Sequence, residues 1–261
     1  MSDVADYPET LHMVQMWLDT RRMTELARAL SLPLHSLDTN YMVHCALGKL
    51  FQEHAPKPFS VEGDMTDATR FIRVLGYSQM PKSGLQEMAR AFAEPMAYEI
   101  CDFDRFAAKP MPEVFPTGVR LAFELRACPV VRKSSAGSNG KYSWSKGQEV
   151  DAFLSRVWEV GDKEVTLDRE KVYQKWLGQQ FNRRGGVEPI TIEMTRFSLE
   201  KMIRRSHGKN RKPRPITRPD VTFCGRLEVT DGASFMELLK NGIGRHRAFG
   251  FGMLKVRRLR S

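Results

Sequence analysis

The sequence predicts an α+β fold, because segments with strand and helix patterns follow one another in the same order in both halves of the chain. In the first half, the patterns predict strands at 11–18 and 71–77 and helices at 21–30, 40–53 and 84–92. Ferredoxin-like units, in which helices cover one face of an antiparallel sheet, have this order of elements.

The second half repeats the order and predicts a second unit of the same kind. Its predicted strands and helices cover 119–125, 168–181, 190–197, 221–229, 233–240 and 251–256. A stretch rich in serine and glycine at 134–147 is expected to be a loop.

A proline-rich linker separates the two halves. Pro110, Pro112 and Pro116 are unfavourable in regular elements and mark this boundary. We therefore expect two tandem ferredoxin-like (RRM-like) domains at 1–109 and 110–261, the second carrying an inserted basic hairpin.

The charge balance predicts a polyanionic partner. The 261 residues include 41 lysines and arginines against 31 aspartates and glutamates, which gives a formal net charge of +10. Nucleic acid and an anionic membrane surface both fit such a charge. No apolar run approaches the roughly 20 residues that span a bilayer, and the N-terminus is acidic and polar, so we expect a cytoplasmic protein that uses no membrane.

The sequence gives no sign of a metal or cofactor site. The four cysteines are scattered, without a CxxC pair or a histidine at zinc-ligand spacing. Carboxylates do not cluster as a two-metal nuclease would require. We expect reduced thiols and no cofactor.

A strongly basic segment lies between the predicted strands 190–197 and 221–229. Residues 201–219 contain no acidic side chain, and the basic residues there are Lys201, Arg204, Arg205, Lys209, Arg211, Lys212, Arg214 and Arg218. A glycine and two prolines in 208–215 predict a loop or hairpin tip rather than a helix. Such a hairpin has the shape and charge to follow RNA phosphates.

A glycine loop precedes the last predicted strand. Gly242, Gly244, Gly250 and Gly252 enclose three basic residues, which are Arg245, His246 and Arg247. We expect exposed backbone amides beside two arginines, an arrangement that binds phosphates. The loop does not join a strand to a helix in a βαβ unit, which argues against dinucleotide binding.

The run Gly-Ile-Gly-Arg-His-Arg-Ala-Phe-Gly-Phe-Gly at 242–252 resembles the glycine-rich loop of the repeat-associated RNA-binding (RAMP) CRISPR proteins. More narrowly, it resembles the CasE family, the RNA-processing endoribonucleases of type I-E Cascade, and segments 119–129 and 223–231 support this. The resemblance implies cleavage of CRISPR precursor RNA beside a repeat stem-loop, followed by retention in an effector complex with other subunits. The alternative that this chain is the corresponding nuclease of a type IV (Csf) system stays open.

The same resemblance implies an active site on the second helix. Tyr41 and His44 are three residues apart and share a helical face, whereas Lys49, five residues beyond His44, is only roughly adjacent. The family pattern Tyr-x-x-His-x-x-Leu-x-Lys falls on these three residues. It implies that His44 transfers a proton during attack of a 2′-hydroxyl and that Tyr41 orients the reactants.

Lys49 would then offset the charge of the transition state, together with Arg21 or Arg22, which we also count as RNA-binding candidates. His246 is the rival candidate for the acid–base role. An RNA-binding effector subunit without activity is the alternative function. A generic RNA-recognition protein fits less well, because the sequence lacks the aromatic run of such modules.

Overall fold

Two four-stranded antiparallel sheets organise the computed structural model, which describes residues 10–32, 38–65, 69–161, 166–205 and 213–259. The first sheet is built from β1 (His12–Asp19), β2 (Phe59–Glu62), β3 (Phe71–Ser78) and β4 (Ala107–Pro110). Its strand order, β2-β3-β1-β4, is the order of a ferredoxin-like unit.

The first unit has four helices among its described residues, and the first two begin at aspartate caps. The helices are α1 (Thr20–Ala29), α2 (Thr39–Phe51), α3 (Lys82–Phe92) and the short α4 (Pro95–Tyr98). The Asp19 carboxylate accepts hydrogen bonds from the first amides of α1, and Asp38 does the same for the amides of Asn40 and Tyr41 in α2. These caps satisfy amides that have no partner within the helix, and so they fix where α1 and α2 begin.

The second half of the chain contains more elements than the sequence predicts. They are β5 (Arg120–Ala127), β6 (Val130–Arg132), β7 (Gly137–Asn139), β8 (Tyr142–Trp144), β9 (Glu149–Asp151), α5 (Ala152–Val160), α6 (Arg169–Arg184), β10 (Val187–Arg205), β11 (Pro213–Val229), α7 (Gly232–Asn241) and β12 (Leu254–Arg258). The second sheet has the order β10-β11-β5-β12, which again is ferredoxin-like. The predicted α+β fold of two tandem ferredoxin-like units is confirmed, whereas the boundary at 109/110 stays a prediction.

The stretch expected to be a loop at 134–147 forms a hairpin instead. β7 pairs with β8, and the rings of Tyr142 and Trp144 lie 6.0 and 6.1 Å from that of Trp158 in α5. These aromatic contacts give the hairpin an apolar partner, which its serine and glycine content does not reveal. The region between β5 and α6 is therefore a folded insertion.

The two ends of the basic segment 201–219 belong to the long strands β10 and β11. β10 and β11 pair from Val187–Val229 to Arg205–Pro213, while β5 pairs with β11 only between residues 221 and 228. The outer part is thus a two-stranded arm, and the predicted strands were too short. Prolines suggested a loop there, but a strand without a second neighbour tolerates proline where its nitrogen faces solvent.

Two buried side chains of the first unit pack in the core of the second. Leu11 and Tyr77 of the first unit are packed in the second hydrophobic core, and the Tyr77 hydroxyl donates a buried hydrogen bond of 2.8 Å to the Leu254 carbonyl. Burial raises the pKa of Tyr77. This bond joins β3 of the first sheet to β12 of the second.

In the described part of the chain, no helix combines the length and apolar character needed to cross a membrane.

We predict that Tyr77→Phe lowers the free energy of unfolding by about 1–3 kcal/mol, because it leaves the buried Leu254 carbonyl without its donor. Urea denaturation measures this loss. Tyr98→Phe is the matched control, since the Tyr98 hydroxyl has no hydrogen-bond partner among the described residues. Equal stability of the two variants would contradict a role for the Tyr77 bond.

Candidate functional site

A basic cleft of about 660 Å³ lies between the glycine loop, α6 and the start of the insertion. The described residues that line it include six cationic side chains, which are Lys57, Arg132, Arg183, Arg184, Arg245 and Arg247. Glu149 is the one carboxylate among those lining residues. This excess of positive charge in a concave site favours a polyanionic ligand.

The first and last glycines of the loop allow close packing of the backbone. Gly242 and Gly252 have φ values of +67° and +82°, and a Cβ on Gly242 would lie 2.7 Å from the Gly252 carbonyl oxygen. The Gly242 amide donates to the Leu238 carbonyl, and the Gly252 amide donates to the Arg126 carbonyl. The amides of Gly242 and Gly252 are therefore not available to a phosphate, because these two glycines let backbone segments approach closely and their amides are used there. The expectation of exposed amides between them stays a prediction.

One carboxylate pairs with two of the three basic residues of the loop. Glu149 of β9 forms ion pairs with Arg245, with His246 (Nε2 to Oε2, 3.2 Å) and with Arg218 of β11 (3.4 Å). Burial alone would raise the Glu149 pKa, but the charges of His246 and Arg245 outweigh it and the pKa is lowered. The His246 side chain is 7% exposed, so this rival acid–base candidate is engaged by Glu149.

Arg247 differs from Arg245 in its charged neighbours, because these carry the same positive charge. Its guanidinium donates to the Asn241 carbonyl. Burial and the charges of Arg184 and Arg245 lower the Arg247 pKa. A cluster of three arginines with this repulsion is an arrangement that an anion would relieve.

The predicted catalytic helix meets the glycine loop through aromatic rings. The Tyr41 ring stacks on that of Phe249 at 6.1 Å, and the His44 ring lies 5.0 Å from it. Tyr41 is buried, with 7% exposure, while His44 is half-buried. The structure therefore brings together two sequence features that lie about two hundred residues apart.

His44 lines a small cleft of about 240 Å³ beside the basic one, and Lys57 and Ala248 line both. Burial of His44 and the positive charge of Lys57 lower the pKa of its imidazole. The ring is thus neutral at pH 7 and can accept a proton.

The structure does not bring the other implied residues to these clefts. Lys49 forms an ion pair of 2.8 Å with Glu94, and Arg22 pairs with Glu25 and Glu99. Arg21 is exposed on α1. The described residues that line the two clefts include neither Lys49 nor these arginines.

The basic arm is described only in part. Lys201 lines a separate cleft of about 420 Å³ with Arg126 and Arg196. The side chains of Arg204, Arg205 and Arg214, and the residues Lys209, Arg211 and Lys212, lie outside the described part of the structure. Their RNA-binding role stays a prediction.

Sequence reasoning missed several of the basic residues in the cleft. Arg183 and Arg184 end α6 just before Gly185 and Gly186, and a basic pair at that helix end was a usable signal. Lys57 gave no signal, because it is a single lysine between two prolines.

A buried ion pair fixes α2 against the second sheet. Arg126 of β5 donates two hydrogen bonds to Asp220, at 2.9 and 2.7 Å, and a third of 2.8 Å to the side-chain oxygen of Asn40. A Cβ on Gly250 would overlap the same Asn40 oxygen. The start of α2, the second sheet and the glycine loop are thus held at one point.

Among the described residues, no group of three or more histidine, cysteine, aspartate or glutamate side chains is arranged to hold a metal ion.

We predict that Gly250→Ala lowers the free energy of unfolding by about 1–3 kcal/mol. The residue has φ +76°, which costs energy for a residue with a Cβ, and the new methyl would displace Asn40 from Arg126. Gly178→Ala within α6 is the control and should stabilise by about 0.5–1 kcal/mol, because its Cβ meets open space. Thermal or urea unfolding measures both, and equal effects of the two substitutions would refute the close contact at Gly250.

Comparisons with known proteins agree with the fold. The CRISPR-associated endoribonuclease Cse3 of Thermus thermophilus is 27% identical over 151 residues, which are 58% of this chain and 62% of that protein. The match thus spans less than two thirds of the relative's length.

Two solved structures cover nearly all of the chain. Thermus thermophilus Cse3 bound to an RNA representing a pre-cleavage complex has a TM-score of 0.57, with 17% identity and coverage of 95% of this chain and 99% of that one. The CRISPR-associated protein Cas6e from Escherichia coli K-12 has a TM-score of 0.56, with 17% identity and coverage of 95% and 100%. At these identities the likeness shows the fold.

A family model that matches nearly the whole chain identifies the family. The model of the family described as CRISPR associated protein matches residues 11–258, and the resemblance to CasE predicted from the glycine loop is confirmed. The chain belongs to the CRISPR-associated protein family.

Proposed function

We propose that the protein is a metal-independent endoribonuclease that cuts CRISPR precursor RNA next to a repeat stem-loop. The observation that carries this proposal is the contact of His44 with Phe249 of the glycine loop, at the edge of a cleft lined by six cations. A neutral histidine beside a phosphate-binding surface supports proton transfer during RNA cleavage. The name of the relative Cse3, an endoribonuclease, supports the same class of reaction.

In the proposed reaction, the 2′-hydroxyl upstream of the scissile phosphate attacks the phosphorus in line. The new O2′–P bond replaces the P–O5′ bond, which leaves a 2′,3′-cyclic phosphate and a 5′-hydroxyl. His44 accepts the proton of the 2′-hydroxyl, and the leaving oxygen takes a proton from water. Its lowered pKa keeps the imidazole unprotonated at neutral pH, as a general base requires.

Tyr41 is a positioning residue in this proposal. Its ring is buried and stacks on Phe249, which also contacts His44. The stack limits the rotation of Phe249 and so the space available to the imidazole.

The cleft and the arm together supply the RNA-binding surface that we propose. The cations of the cleft are suited to phosphates near the cut, and the arm is suited to the backbone of a stem, since A-form RNA is recognised by shape and phosphates. Retention of the cut RNA beside other subunits of a CRISPR effector complex follows from the resemblance to the CasE family.

One observation favours the alternative of a non-catalytic RNA-binding subunit. Of the three residues that the family pattern implies, only His44 lines either of the two clefts, because Tyr41 is buried and Lys49 is paired with Glu94. Both functions need the same RNA surface, so a cleavage assay separates them.

We predict that the wild-type protein cuts a labelled repeat stem-loop in EDTA and that His44→Ala slows single-turnover cleavage by about 10²–10⁴-fold, with little change in stem-loop affinity. A 2′-deoxy residue at the cut site should abolish cleavage. His54→Ala is the control, because His54 lies outside the cleft that holds His44. Binding by the wild type without any cleavage would refute the endoribonuclease and favour the alternative.

We predict that the double variant Arg183→Ala/Arg184→Ala weakens stem-loop binding and makes the slope of log K against log salt shallower by about 1.5–2, since two phosphate contacts are lost. Lys171→Ala/Lys175→Ala on the same helix removes equal charge away from the cleft and is the matched control. Fluorescence anisotropy at several salt concentrations measures both slopes. The cleft has no part in binding if the two variants behave alike.

A further inference from the structure

Lys57 occupies a position that no motif indicates. It follows α2 in the chain, and its amide donates a 2.8 Å hydrogen bond to the Tyr77 carbonyl of β3. Pro56 and Pro58 on either side are buried, while Lys57 itself is exposed. The backbone is therefore anchored, and the side chain is free to reach a ligand.

The side chain of Lys57 lies where the two clefts meet. It lines the basic cleft with Arg245 and Arg247, and it lines the smaller cleft with His44. Ala248 of the glycine loop is common to both clefts as well. The Lys57 side chain therefore lines the same clefts as the candidate base and the arginines of the glycine loop.

Lys57 and Lys49 differ in how their charge is balanced. Lys49 is paired at 2.8 Å with Glu94 at the start of α4. Lys57 has no ion-pair partner among the described residues. Its charge is therefore available to a phosphate, whereas that of Lys49 is already compensated by a carboxylate.

The lowered pKa of His44 agrees with this placement of Lys57. Burial is the larger cause of the lowered His44 pKa, and the positive charge of Lys57 adds to it. A cation that destabilises the imidazolium keeps the ring in its proton-accepting form.

We propose that Lys57, rather than Lys49, is the catalytic cation beside His44, and this rests on the endoribonuclease function proposed above. Its ammonium contacts a non-bridging oxygen of the scissile phosphate and stabilises the charge that develops as the 2′-oxygen attacks. Lys49 joins α2 to α4 and has no contact with the RNA at the cut.

Single-turnover cleavage of the stem-loop by saturating full-length protein tests this assignment. Lys57→Gln should slow cleavage by about 10²–10³-fold, as loss of a transition-state charge contact does, and Lys57→Arg should recover most of the rate. Lys49→Gln, the competing variant, should lose less than about tenfold. Lys109→Gln, on the exposed edge strand β4, serves as the control for loss of one positive charge.

A second readout follows the imidazole itself. Removing the Lys57 charge raises the His44 pKa, so Lys57→Gln should move both the NMR titration of His44 and the acid limb of the rate profile to higher pH. Lys57→Arg should leave both where they are in the wild type. A lysine with a purely structural role would change neither titration.

The outcomes distinguish the two proposals. Wild-type cleavage that His44→Ala abolishes but Lys57→Gln leaves intact overturns the role of Lys57 alone. A large loss in Lys49→Gln with none in Lys57→Gln returns the role to Lys49. A wild-type protein that binds the stem-loop without cutting it overturns the endoribonuclease and, with it, the role of Lys57.

Discussion

The largely buried ion pair of Arg126 with Asp220 is the interaction on which the geometry of the candidate site depends. Removing a charge from water is costly, and here two hydrogen bonds to Asp220 and one to Asn40 offset that cost. Loss of one partner from such a buried pair typically costs about 3–5 kcal/mol. Because the Arg126 carbonyl also accepts the Gly252 amide, this residue aligns α2, the second sheet and the glycine loop at once.

That alignment places the glycine loop against α2, which carries His44. Its glycines allow the backbone to pack closely against itself and against Asn40, and this places Phe249 on Tyr41 and His44. The loop therefore shapes the surroundings of the histidine, while its basic side chains face the cleft and Glu149. A sequence motif that resembles a phosphate-binding loop works here first as a junction between two units.

Much of this arrangement could be predicted from the sequence, and the failures have physical reasons. Helices with aspartate caps, such as α1 and α2, were predicted because the cap and the apolar spacing agree. Strands of three or four residues, such as β2 and β6, have no periodicity of their own, and their pairing with a neighbour defines them. On a helix, Lys49 is about 140° from His44, so it points to α4 instead of the cleft. Lys57 comes to the site through its bond to Tyr77, which no local pattern reveals.

The distribution of charge argues for the cleft, and against the open face of the second sheet, as the surface that contacts RNA near the cut. On that face, two of the cations are matched by carboxylates, in the pairs Arg120–Glu228 and Lys255–Glu124. In the cleft, Glu149 is the one carboxylate among the described lining residues, and burial together with the charges of Arg184 and Arg245 lowers the Arg247 pKa. Phosphates that enter the cleft relieve the repulsion among its arginines, whereas phosphates that bind Arg120 or Lys255 on the sheet face would have to displace existing ion pairs. The net charge of +10 therefore matters less than the fact that six cationic side chains, with a single carboxylate among the described lining residues, lie beside His44.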